Sequence, residues 1–138
     1  MEFINPEEFK NQPKEIQKVF IEWWQPQQFD LYIFDGHFLQ IVKKYSQNYI
    51  LPYKGSNVWE AKEHCIPFFT EGQLRKFIED KMCGRIETID YLSDGYDFYY
   101  YDEYNNQYCI GEELGDNLLQ AYWKVACEIA KESVEGGL

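Results

Sequence analysis

The segment "GYDFYYYDEYNNQY", Gly95 to Tyr108, places six tyrosines within fourteen residues and contains no lysine or arginine. Aromatic side chains packed this closely suit an extended, pleated backbone on which the rings meet across strands. Asn105 and Asn106 tolerate positive φ and mark a two-residue turn, which sets Tyr101 opposite Ile110 and Glu103 opposite Tyr108. Phe98 and Tyr100 then point to the other side, so some of these rings belong to the core. With "RIETIDYL" before it, the segment predicts a three-strand meander.

The flanking sequence predicts the layers that cover such a sheet. From Pro13 to Trp24, the apolar residues Ile16, Val19, Phe20 and Trp23 fall at helical spacing, Pro13 suits a first turn, and Pro26 ends the run. Asp35-Gly36 between two apolar runs predicts a hairpin over "FDLYIFDGHFLQIV". "QNYILPY" adds an extended piece, and Lys54 to Pro67 reads as an irregular loop. Thr70, with Gln73 three residues on, opens a helix that Gly84 closes. The last helix starts at an Asp116 cap and carries a stripe of Leu118, Tyr122, Val125 and Ile129, widened by Leu119 and Ala126. This order predicts an α+β fold, an antiparallel sheet of about four to six strands packed against two or three helices. At 138 residues, a single domain spanning 1–138 is expected.

Charge is segregated along the chain. Between Ile86 and Trp123 stand nine acidic residues and no base, whereas Lys43 to Arg85 holds eight bases against five acids. A net charge of −11 opposes direct nucleic-acid binding, which needs basic side chains to displace counterions. No apolar run approaches a membrane span, and the N-terminus carries acids where a signal peptide would carry bases. A cytoplasmic protein with no membrane partner is expected. The four cysteines, Cys65, Cys83, Cys109 and Cys127, form no CxxC pair, so they are read as reduced and mostly buried thiols.

No catalytic motif is present. His64-Cys65 sets a base beside a thiol, but neighbours on an extended chain point to opposite faces. His37 lies in no recognised motif, and Glu60, Glu63 and His64 match no metal-ligand spacing. The expectation is therefore a non-enzymatic protein with no catalytic residues, no metal and no cofactor. Two surfaces remain as candidates. In the basic segment, Lys54, Lys62, Arg75 and Arg85 can meet phosphate or carboxylate while Tyr53 or Trp59 stacks on a ring, as nucleotide recognition requires. In the acidic meander, Asp97, Asp102 and Glu103 can face a basic protein. Surface bases over core aromatics, and a solvated acidic face, are the plainer explanations of each.

"IQKVFIEWWQPQQFDLY", "CIPFFTEGQLRKFIEDK" and "LLQAYWKVACEIAKE" together resemble a family of small uncharacterised proteins of Firmicutes phages and prophages. The ending is also similar, more weakly, to small phage α-β-α sandwich proteins. The resemblance carries no catalytic residues, and what is shared is core and helix-cap pattern. It implies a phage accessory protein in the host bacterial cytosol, with counter-defence as the expected role. In the preferred reading the protein sequesters a nucleotide-derived immune signal, in a pocket that two protomers of a homo-oligomer can share. The alternatives are an acidic inhibitor that imitates nucleic acid and occludes a basic host defence protein, and a structural or replication interaction protein.

Overall fold

The computed structural model describes residues 2–36, 38–53 and 57–136. The chain divides into two compact units, one of Asn5–Phe68 and one joining Met1–Ile4 to Phe69–Leu138. The N-terminal unit opens with α1 (Pro6–Lys10), a short helix that the sequence reading did not include. Asn5 caps it by accepting from the Glu7 amide at 2.9 Å, and Pro6 occupies the first turn, where its missing N–H costs nothing. Helix α2 (Lys14–Trp23) follows Pro13, as the periodicity predicts.

The buried stripe of α2 differs in detail from the expected one. Ile16 and Phe20 are buried, but Val19 and Trp23 are only half-buried, and Trp24, one residue past the helix, supplies the buried indole. Gln17 is buried because its amide closes the α1–α2 turn, donating to the Gln12 and Lys10 carbonyls at 2.7 and 3.2 Å. Five antiparallel strands complete this unit: β1 (Leu31–Phe34), β2 (Phe38–Ser46), β3 (Tyr49–Pro52), β4 (Glu60–Ala61) and β5 (Cys65–Pro67), in the order β4-β3-β2-β1-β5. Asp35 and Gly36 both have positive φ and turn the chain between the paired Phe34 and Phe38.

The expected loop from Lys54 to Pro67 is largely ordered structure. Lys54, Gly55 and Ser56 lie outside the described residues, but Glu60–Ala61 pairs with β3, Lys62–His64 forms a 3-10 turn, and Cys65–Pro67 pairs with β1. The two strands are two and three residues long, and the partner of Cys65–Pro67 lies far away in sequence. Local composition carries no trace of such pairing.

In the C-terminal unit, α3 (Glu71–Met82) starts at Thr70 with a reciprocal capping box. The Gln73 amide donates to the Thr70 hydroxyl at 3.2 Å, and the Gln73 side chain accepts from the Thr70 amide at 2.9 Å. The left-handed residue that stops the helix is Cys83 (φ 54), and not Gly84 as expected. Gly84 serves a different purpose: a Cβ there would stand 2.6 Å from the Tyr101 carbonyl oxygen. Strands β6 (Arg85–Leu92), β7 (Gly95–Tyr101) and β8 (Gln107–Gly111) form the expected antiparallel meander. Helix α4 (Leu118–Val134) is capped by Asn117, whose side chain accepts from the Gln120 amide, one residue later than the expected Asp116 cap. Leu119, Tyr122, Val125, Ala126 and Ile129 are buried on α4, and Tyr122 meets Phe98 of β7 edge-on at 4.7 Å. Among the described residues no helix is long and apolar enough to cross a membrane.

The fold class is therefore α+β with antiparallel strands, as the element order predicts. The strands divide between two sheets, of five and three strands.

Candidate functional site

The residues expected to share one anion pocket are distributed over both units. Tyr53, Trp59 and Lys62 belong to the N-terminal unit, and Arg75 and Arg85 to the C-terminal one. Lys54 lies outside the described residues, as does His37.

Both arginines have partners within their own unit. The Arg75 guanidinium donates to the Ile86 carbonyl and lies 3.7 Å from Glu79, while Glu79 accepts from the Ile86 amide at 2.8 Å. Arg75 and Glu79 thus clamp the backbone of β6 to α3. Arg85 contacts Glu87 and the Asn105 side chain at 2.5 Å each and lies over the Tyr101 ring. Tyr53 and Trp59 are exposed, and Tyr53 packs edge-on against Phe29 at 5.9 Å.

The acidic trio is likewise spoken for in part. Asp97 is buried and accepts from the Glu113 amide at 3.0 Å. Asp102 accepts from the amides of Tyr104 and Asn106, each at 2.9 Å, and the Asn106 amide holds its carboxyl below the usual carboxylate range. Glu103 alone of the three is exposed. Asp102 also decides the register of the meander. It organises a loop from 102 to 106 in place of the expected two-residue turn, so Tyr101 pairs with Gln107 and Tyr100 with Tyr108. The expected pairs Tyr101–Ile110 and Glu103–Tyr108 do not form. An aspartate two and four residues before backbone amides that it can satisfy is the signal that would have found this loop.

Two of the predicted ligand residues stand at cavity walls: Arg85 lines a cleft of the C-terminal unit together with Glu79, Asp80, Asp102 and Glu103, and Lys62 lines one of the N-terminal unit. A cleft of about 900 Å³ within the N-terminal unit is lined by Lys14, Lys18 and Glu22 of α2, by Asp35, and by Lys62 and His64 of the 3-10 turn. The turn is held in place by the backbone: the Lys62 amide donates to the Asn48 carbonyl at 2.8 Å, and the Asp35 amide donates to the His64 carbonyl at 3.0 Å. The His64 ring lies between Asp35 and Glu63, at 3.5 and 3.6 Å.

Only 8% of Lys62 is exposed. Its ammonium stands over the Tyr45 ring at 5.7 Å, with no carboxylate in salt-bridge range and no hydrogen-bond acceptor among the described residues. Burial pushes its pKa down, and the negative charge of Glu22 opposes that shift in part. No fully buried side-chain nitrogen or oxygen among the described residues lacks a partner, so the unbonded ammonium keeps an opening to solvent. Lys62 thus presents to the cleft a buried stem and an ammonium without an ion-pair partner among the described residues. Lys14 and Lys18 add positive charge to the same wall, and the exposed Tyr49 offers a ring.

Deeper in this unit, the Tyr32 hydroxyl donates to Glu60 at 2.5 Å, and burial pushes the Cys65 thiol up to about 12. Such a thiol is protonated and inert at neutral pH. Of the four cysteines, Cys65 alone is buried; Cys83 and Cys109 are exposed and Cys127 is intermediate, which corrects the expectation of mostly buried thiols. Among the described residues no group of three or more His, Cys, Asp or Glu side chains is placed to hold a metal.

The sequence reading did not assemble Lys14, Lys18, Glu22, Asp35 and His64 with Lys62. Lys14 and Lys18 stand one helical turn apart, a readable face, but the 3-10 turn that brings Lys62 to them is set by strand pairing. Comparison with known proteins found no matching family model, no similar curated protein and no similar solved structure.

Proposed function

We propose that the protein binds a small anionic ligand of nucleotide type in the cleft of the N-terminal unit and holds it without turnover. The observation that carries this reading is the buried Lys62 ammonium, which faces a ring and has no anionic partner within salt-bridge distance among the described residues. A phosphate entering the cleft supplies that partner, with Lys14 adding positive charge and Tyr49 stacking on a base. The resemblance to phage accessory proteins gives the biological sense: sequestration of a nucleotide-derived immune signal in the host cytosol. Arg75 and Arg85, engaged with Glu79 and Glu87, are assigned to the architecture of the C-terminal unit.

The test is calorimetric titration of the protein with inorganic phosphate, ATP and a cyclic dinucleotide, repeated on Lys62→Met. Loss of one charge-assisted contact corresponds to about tenfold or more in affinity. Wild-type binding that weakens by that much supports the reading. Absence of binding by the wild type, or equal binding by a folded Lys62→Met, refutes it.

A second reading rests on the C-terminal unit, where Asp90, Asp94 and Glu103 are exposed on a segment without bases. This surface suits a basic protein partner that would otherwise hold nucleic acid. Reversing those three acids to lysine should abolish capture of such a partner from host lysate. Capture that survives the reversal removes this alternative.

A further inference from the structure

We infer that Lys62 also acts as a nucleophilic amine, forming a reversible imine with the aldehyde of an anionic carbonyl compound that enters the cleft. The inference rests on the anion-binding reading of that cleft and adds a covalent step to it. Three features of the site converge. The aliphatic stem of Lys62 is buried, so the nitrogen is held at one place on the wall. The nitrogen faces the Tyr45 ring, and among the described residues no carboxylate within ion-pair distance pins it as an ammonium. It keeps an opening to solvent, since it makes no hydrogen bond and no fully buried side-chain nitrogen among the described residues is unpartnered. Burial also favours the neutral amine, the form with a free lone pair, against the opposing charge of Glu22.

Other lysines on the same wall lack this combination. Lys18 is 74% exposed at its side chain and paired with Glu22 at 3.7 Å, and Lys14 is exposed. Lys14 attracts the anionic end of the compound. The chemistry needs no co-reactant. The amine lone pair adds to the carbonyl carbon and a proton moves from nitrogen to the alkoxide oxygen, giving a carbinolamine. That hydroxyl then takes a proton and leaves as water, and loss of the remaining N–H proton yields the C=N bond. No electron is gained or lost, and hydrolysis reverses each step.

The experiment uses pyridoxal 5′-phosphate, an aldehyde carrying a phosphate, at less than one equivalent, with borohydride reduction and peptide mapping of the whole chain. Expected is Lys62 as the principal labelled lysine, ahead of Lys14 and Lys18, because burial favours its neutral amine. Lys62→Arg keeps the positive charge but cannot form an imine, so it should retain phosphate binding and lose the adduct. Label spread over surface lysines without preference for Lys62, or undiminished labelling of Lys62→Arg, overturns the inference. Phosphate binding by the wild type without a trapped Lys62 adduct overturns the imine alone and leaves the anion reading standing. Absence of both overturns both.

Discussion

The Tyr32 hydroxyl donates to the Glu60 carboxylate across 2.5 Å inside the N-terminal unit, joining the central hairpin to a two-residue strand 28 positions later. Tyr32→Phe removes the donor and leaves a buried acceptor without it. The expected loss is about 1.5 to 3 kcal/mol, the range for hydrogen bonds to charged groups. Urea unfolding measures it, and a midpoint equal to wild type contradicts the role given to this pair. The same region should be destabilised by alkali, which the pH dependence of the urea midpoint measures. Burial and Glu60 raise the Tyr32 pKa, and Cys65 is pushed up to about 12 from 9.0. Both groups hold protons in the folded state that the unfolded chain gives up, so stability is intact below about pH 9 and falls as pH rises through 12.

Gly95 and Gly115 approach so closely that a Cβ on Gly95 would stand 2.5 Å from the Gly115 carbonyl oxygen. Gly95 also has φ +114, a conformation that side-chain-bearing residues rarely adopt. This contact bridges the start of β7 to the entry of α4 and is secured by the Tyr96 amide donating to Gly115 at 2.9 Å. Gly95→Ala should therefore destabilise the C-terminal unit by on the order of 3 kcal/mol, from backbone strain plus overpacking. Thermal unfolding reads the change; a variant with wild-type Tm would show that the approach is relieved cheaply.

Asp102 holds the 102–106 loop, accepting from two amides while its own amide donates to the Asn106 carbonyl at 3.1 Å. Asp102→Ala should release the Asn106 and Tyr104 amides, raising their hydrogen-exchange rates without melting β6 and β7. Because the folded carboxyl titrates below its ordinary value, its contribution is present above pH 3.8 and is lost as pH falls through the depressed folded pKa. Wild type should show this acid-side decline in loop protection and Asp102→Ala should not. Equal exchange at Asn106 in both proteins, at pH 6, would refute the assigned role.

Much of the local architecture was legible in residue order. The capping box at Thr70, the hairpin at Asp35-Gly36 and the stripe on α4 each depend on groups within a few positions of one another, and composition records such groups directly. The same nearness explains the errors of one residue, Cys83 for Gly84 and Asn117 for Asp116, since adjacent residues compete for one cap.

The candidate site was legible only in part, because its members meet through pairing that no local pattern announces. Lys62 could be named as a base beside aromatics. That it is buried over Tyr45, rather than exposed like Trp59, follows from Glu60–Ala61 docking on β3 and Cys65–Pro67 docking on β1. Arg75 reads from sequence as a free cation on a helix, and becomes a backbone clamp once β6 brings the Ile86 carbonyl to it.

The sequence by itself determined the α+β class, the principal helices and hairpins and the segregation of charge, because these depend on local spacing and on composition. Tertiary structure decided which charges are buried and which are paired. Strand pairing buried one lysine beside a cleft and gave two arginines their partners, and whether a charge is desolvated or satisfied depends on neighbours that are distant along the chain.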